Sequence, residues 1–218
     1  MKEAEYRILE DYMKSCMTDA AHDREHIYRV LRAALKIAES EPEADGEILT
    51  AACLLHDIGR EQQYANPKVC HAEAGAEMAY AFLLAQGWEE ARAAHVSDCI
   101  RTHRFRKGRT PATMEAKILF DADKLDVCGA IGIARTLQYQ GRTGEPLYCV
   151  DESGIPLPGD PGEPESFLKE YKQKLCGLYD RFYTPAATRM AKERQAIAQA
   201  FYEALLGEIG MTDLGEMR

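Results

Sequence analysis

Apolar residues recur three and four positions apart along most of this chain, which is the spacing of an amphipathic helix. Tyr6, Leu9, Met13 and Cys16 form one such stripe, and Ile27, Val30, Leu31, Ala34 and Ala38 form a second. Asp45 reads as the N-cap of a third helix running from Ile48 to Asp57, with Gly59 as its stop. Ala74, Met78, Phe82 and Leu83 mark a further helix that ends by Gly87. Another spans about Glu89 to His103, and a long one spans about Met114 to Tyr139.

Residues 141–164 break the pattern. Five of the nine prolines fall there, with Gly141, Gly144, Gly154, Gly159 and Gly162 among them, so regular helix is excluded. A loop of that length inside a compact protein is usually a lid, a specificity element or a linker. Periodicity returns with Phe167, Tyr171, Leu175, Leu178 and Phe182, and again with Met190, Ile197, Phe201 and Leu205. The pattern predicts an all-α protein and a single domain over residues 1–218. Its core covers about 20–140, followed by the Pro/Gly-rich loop and C-terminal helices over 165–210.

The 218 residues suffice for one good core. The net charge of −9 argues against nucleic acid or an anionic membrane as a partner. No apolar run approaches the roughly 20 residues of a membrane span, and the charged start Met1-Lys2-Glu3-Ala4-Glu5 lacks the apolar stretch of a secretion signal. Seven dispersed cysteines without a Cys-x-x-Cys pair indicate neither a structural zinc site nor a disulfide framework. A reducing, cytoplasmic location is the expectation.

Chemistry concentrates in three fragments on separate helical segments: Asp23-Arg24-Glu25-His26, His56-Asp57 and Asp121-Ala122-Asp123-Lys124. Imidazoles and carboxylates buried together lose hydration, and a divalent cation is the usual remedy. Asp121 directly follows Ile118-Leu119-Phe120, so on the simplest reading it faces the core and needs a partner there. Singly, His26 reads equally well as a satisfied core histidine and Asp57 as a helix-end carboxylate. Together the residues point to one cationic centre.

The order His, His-Asp, Asp resembles the HD-domain superfamily of metal-dependent phosphohydrolases. His26-Ile27-Tyr28-Arg29-Val30, Leu54-Leu55-His56-Asp57-Ile58-Gly59, Asp121-Ala122-Asp123-Lys124-Leu125-Asp126 and Gly129-Ala130-Ile131-Gly132-Ile133-Ala134-Arg135-Thr136 are similar to the bacterial branch that includes nucleoside-triphosphate pyrophosphohydrolases. The similarity spans roughly residues 20–205. It implies an HD-domain helical bundle with a helical C-terminal extension, in which His26, His56, Asp57 and Asp121 ligate a metal ion. Such a mixed shell suits Mn, Fe, Co, Ni or Zn better than Mg, which favours oxygen alone.

His71 and His103 resemble histidines of HD proteins that hold two metals, with Asp57 then bridging ions about 3.5–4 Å apart. Contact with substrate phosphate beside a single ion, or a place on the surface, are the other readings of these two. His22 and His95 receive no role. Arg101, Arg104, Arg106, Lys107 and Arg109 surround His103 and suggest a positive rim for an anionic substrate, or equally a solvated helix end.

Arg60 is a candidate for holding a phosphate oxygen, and Lys124 for neutralising charge on phosphorus, although a plain salt bridge is as ordinary for Lys124. No serine or cysteine nucleophile and no Gly-rich phosphate loop is evident, so water is the expected attacker. The resemblance implies a phosphorylated small-molecule substrate, with a nucleoside triphosphate cleaved to monophosphate and pyrophosphate as the favoured case. A di-iron oxygenase and a non-catalytic nucleotide-binding HD protein are the alternatives.

Overall fold

The computed structural model describes residues 1–17, 24–104 and 110–211, and these are mostly helical, with an isolated antiparallel bridge between Val150 and Pro156. None of the described helices is long and apolar enough to cross a membrane. The chain falls into two compact units, Met1–Asp123 and Lys124–Arg218.

The first unit is built on α1 (Glu3–Cys16), α2 (Arg24–Ala38), α3 (Gly46–Leu55), α4 (Arg60–Ala65), α5 (His71–Ala85) and α6 (Glu90–Thr102), and on α7 (Met114–Leu125) as far as Asp123. Asp45 caps α3 as its side chain accepts from the backbone N–H groups of Glu47 and Ile48. From Ala51 to Leu55 every side chain is buried, as suits a helix enclosed on all sides. It packs against α1, α2 and α6. The small residues Ala72, Gly75, Ala76 and Ala79 let α5 lie close against α6, where Ser97 Oγ donates to the Ala76 carbonyl at 2.9 Å.

The long helix expected from Met114 to Tyr139 is two helices. The first stops at Leu125, and α8 occupies Gly129–Thr143. Apolar periodicity runs through both, but the backbone cannot follow it. Gly129 adopts a φ of 66°, in the left-handed region that no helix continues through. A Cβ on Gly132 would lie 2.3 Å from the Val127 carbonyl oxygen, so the chain doubles back on itself there.

In the second unit, α8 reaches Thr143, beyond the start expected for the loop, and ends on Gly144 with a φ of 78°. The proline-rich stretch that follows holds no helix until α9 (Phe167–Gln173), which Ser166 caps. The periodicity from Phe167 to Phe182 does not give one helix. After α9 there is only a 3₁₀ turn, Leu175–Gly177, before α10 (Pro185–Glu208) begins with Thr184 as its cap and proline in its first turn. α10 packs on α8. The Arg194 guanidinium donates to the Leu125 carbonyl, and Arg135 pairs with Asp126.

Candidate metal centre

The chemistry of the first unit gathers at helix ends. His56 is the residue that closes α3, Asp57 follows it in the turn, and His103 closes α6. His71 is the first residue of α5, and His26 lies in the first turn of α2. His56 and His71 are fully buried, and His26, Asp57 and His103 are each at most 5% exposed.

Two groups of three side chains result. One ligand atom each from His26, His56 and Asp123 lies within 4.8 Å of the others, and the same holds for Asp57, His71 and His103. His26 Nε2 stands 3.2 Å from His56 Nε2 and 3.3 Å from Asp123 Oδ1. Asp57 joins the groups: its Oδ2 is 3.7 Å from His26 Nε2 and 3.8 Å from His56 Nε2. Its Oδ1 is 3.4 Å from His71 Nε2 and 3.8 Å from His103 Nε2.

Ring tautomers can be argued from the partners. The last carbonyls of a helix lack intrahelical donors. The Nδ1–H of His56 takes the Cys53 carbonyl at 2.8 Å, and that of His103 takes the Ile100 carbonyl at 2.6 Å. His71 Nδ1 instead meets the side-chain oxygen of Gln63 at 2.6 Å. With the proton on Nδ1, each Nε2 carries a lone pair into the centre. Buried His71 Nε2 has no hydrogen-bond partner. Burial pushes the His71 imidazole down to about 3 and that of His103 down to about 4, and it lowers His56 as well. Burial alone would raise the Asp57 carboxyl. The His56 ring and the Arg60 guanidinium, whose Nε lies 2.9 Å from Oδ1, outweigh it and hold that carboxyl well below the usual range.

Neutral imidazole lone pairs and carboxylate oxygens converging in a buried space are what a divalent cation requires. Ligand atoms about 2.1 Å from one ion stand ~3.0–3.4 Å apart, and the shortest separations in the two groups, 3.2 Å and 3.4 Å, fall in that range. The residues present therefore fit a metal ion. Four imidazoles and two carboxylates favour Mn, Fe, Co, Ni or Zn.

Five of the side chains named from the sequence meet here: His26, His56, Asp57, His71 and His103. Asp121 is fully buried but belongs to neither group, and Asp123 stands with His26 and His56 instead. Positions two apart on a helix point about 200° apart, so these two aspartates leave α7 on nearly opposite sides. Periodicity does not separate them. Buried Ile118 lies three residues before Asp121, while buried Leu119 and Phe120 lie four and three before Asp123.

Arg60 begins α4 beside Asp57. Lys124 is half-buried at the first position of the second unit. Of the expected basic rim, Arg101 is engaged by Glu73 at 2.9 Å and Asp98 at 2.6 Å. Arg104 lies 3.9 Å from Cys70 Sγ. Arg106, Lys107 and Arg109, like His22, lie outside the described residues. His95 has a structural post, with Nε2 3.1 Å from Glu115 Oε2, while Glu115 Oε1 accepts from the Asp45 backbone N–H at 2.7 Å.

The family model of the HD domain matches residues 24–128, which contain both groups. YpgQ of Bacillus subtilis is 29% identical over 215 residues, 96% of this chain and 95% of its own length. Its crystal structure superposes with a TM-score of 0.74 at 27% identity, covering 95% of this chain and 96% of that one. YpgQ has also been crystallised in complex with ADP. An HD-superfamily hydrolase from Bacillus thuringiensis is 30% identical with a TM-score of 0.72, over 95% of this chain and 98% of that one. A predicted HD superfamily hydrolase from an uncultured Thermotogales bacterium is also 30% identical, with a TM-score of 0.65 over 96% and 100% of the two chains. Both the fold and the ordered histidine–aspartate set are those of a helical metal-site domain. The chain belongs to the HD-domain superfamily.

Proposed function

We propose that this protein is a metal-dependent phosphohydrolase that cleaves a phosphoester or phosphoanhydride of a nucleotide. A nucleoside triphosphate split to monophosphate and pyrophosphate is the favoured reaction. The observation that carries the reading is the pair of imidazole–carboxylate groups joined through Asp57, with ligand atoms of each group within 4.8 Å of one another. The ADP complex of YpgQ supports a nucleotide as the class of substrate.

A bound divalent ion supplies Lewis acidity toward a phosphoryl oxygen and a water of lowered pKa. The chain's own residues do the rest. Asp57 offers one oxygen to each group and stays ionised in doing so. Arg60 holds Asp57 with one face of its guanidinium and is 35% exposed, so it can also meet a phosphate oxygen from the solvent side. Lys124 is assigned the charge that grows on phosphorus. Water is the nucleophile, and a reducing cytoplasm, matched by seven free cysteines, is the setting.

The presence of a second group, Asp57 with His71 and His103, favours one further reading, a di-iron oxygenase. One experiment separates the two: elemental analysis of the purified protein, with phosphate and pyrophosphate release measured across a nucleotide panel under air and under argon. Release with Mn and without oxygen supports the hydrolase. Iron with oxygen uptake and no release would replace it with the oxygenase.

A further inference from the structure

Three of the four histidines of the centre are not held alike. His56 and His103 stand at helix C-termini, where main-chain carbonyls take their Nδ1–H, and a carbonyl can only accept. Their Nε2 atoms are fixed as lone-pair donors. His71 stands at the N-terminal end of α5, where the spare backbone groups are N–H donors and no helix carbonyl is free. Its Nδ1 is held by Gln63 of α4 at 2.6 Å. An amide presents both an acceptor oxygen and a donor nitrogen on the same rotor.

We propose that Gln63 is the positioning residue of the Asp57–His71–His103 group: the orientation of its amide sets the His71 tautomer, and thereby decides whether His71 offers a metal-binding lone pair or an N–H toward Asp57. With Oε1 turned to the ring, Nδ1 keeps its proton and Nε2 confronts Asp57 Oδ1 at 3.4 Å as a second acceptor, which suits an ion between them. With the amide turned over, its nitrogen donates to Nδ1 and the ring proton moves to Nε2, where it hydrogen-bonds Asp57 with no ion present. The centre can thus hold one ion or two without leaving His71 Nε2 and Asp57 Oδ1 to face each other as two acceptors. A main-chain carbonyl in place of Gln63 would fix the His71 proton on Nδ1 in both states. The inference rests on the reading that His71 is offered to a metal ion.

The test uses the full chain and two substitutions. Gln63 is only half-buried on the short α4, so both variants are expected to fold. Gln63→Glu leaves an acceptor only, and Gln63→Leu leaves no partner. Calorimetric titration with MnCl₂ should show the first binding step unchanged in both. The second step should tighten in Gln63→Glu and weaken about 10–100-fold in Gln63→Leu, the usual effect of a supporting residue on metal affinity. Nitrogen-15 spectra of the metal-free proteins should show His71 protonated on Nδ1 in Gln63→Glu and on Nε2 in Gln63→Leu. The same His71 tautomer in both variants overturns the proposal. If the wild type takes up no Mn while the tautomers still follow residue 63, then the metal reading fails and the role of Gln63 stands.

Discussion

His26 Nε2 and His56 Nε2 face each other at 3.2 Å, although 30 residues of chain separate them and the rings meet nearly edge-on, 66° apart. His56 spends its Nδ1 proton on the Cys53 carbonyl, so its Nε2 has none to give. Two nitrogens at that distance attract only through a shared proton or a cation. The carboxylates of Asp57 and Asp123 stand beside both rings, and they make the cation the better solution.

The first prediction tests which aspartate completes that group. Asp123→Asn should lower metal affinity by more than the roughly 10–100-fold that a supporting residue costs. Asp121→Asn should leave metal content unchanged and lower the melting temperature, since it disturbs a fully buried polar side chain. Elemental analysis after desalting reads both. The reverse pattern would return the site to Asp121.

The number of ions can be tested through His103. If His71 and His103 ligate directly, His103→Ala should reduce bound Mn from about two ions per chain to about one. A contact with substrate phosphate alone leaves the stoichiometry untouched and raises KM. Replacing both His56 and Asp57 with Ala should remove metal altogether, because those side chains serve both groups.

Much of this was legible in the sequence for a physical reason. Helices with one apolar stripe declare themselves through spacing, and the caps at Asp45, Ser166 and Thr184 are local chemistry. The histidines were legible only as an ordered set with Asp57, through the resemblance to the HD-domain superfamily; singly, His26 reads equally well as a core histidine. The choice between Asp121 and Asp123 was not legible, since it depends on which side of α7 faces α2 and α3, and both positions continue buried rows. The break at Gly129 was hidden for the opposite reason. The apolar period continues across it, while the turn is dictated by close approach of the backbone at Gly132. Gln63 was invisible because glutamine on an exposed-looking segment carries no signal until the ring it holds is in place.

Burial of neutral imidazoles makes stability depend on pH in a definite direction. Unfolded histidines titrate near ~6.5, whereas His71 is held down to about 3 and His103 down to about 4. Below ~6.5 the unfolded chain therefore binds protons that the folded one refuses, and stability falls as pH drops toward the folded values. Each ring contributes at most ~1.4 kcal/mol per pH unit, so both together weaken the metal-free fold by up to about 4 kcal/mol between pH ~6.5 and ~5. The depressed carboxyl of Asp57 adds its own loss only once the pH passes below the ordinary aspartate value of ~3.9. Thermal unfolding of chelator-treated protein across this range should show a steep decline, flattened in a His71→Gln, His103→Gln variant. A level profile in the wild type would mean that these rings are hydrated.

The last prediction concerns the turn that aims Asp57. Gly59 has an ordinary negative φ of −84°, so its requirement is space rather than backbone freedom. A Cβ there would lie 2.2 Å from the His71 carbonyl oxygen and 2.5 Å from the Gly75 backbone nitrogen, both parts of α5 that cannot yield singly. Gly59→Ala must therefore push the turn bearing His56 and Asp57 away from the helix bearing His71, and it separates the residues of the Asp57–His71–His103 group. Destabilisation of about 1–3 kcal/mol is expected from overpacking of this kind. Gly75→Ala is the control: its Cβ would come within 3.3 Å of the Gly59 nitrogen, which a shift of a few tenths of an ångström relieves. Thermal melts should place Gly59→Ala well below Gly75→Ala, and Mn titration of the surviving fold should show the second binding step impaired more than the first. Equal melting temperatures and intact binding in both would show that the turn and α5 move together, and that the close approach does not set the geometry of the centre.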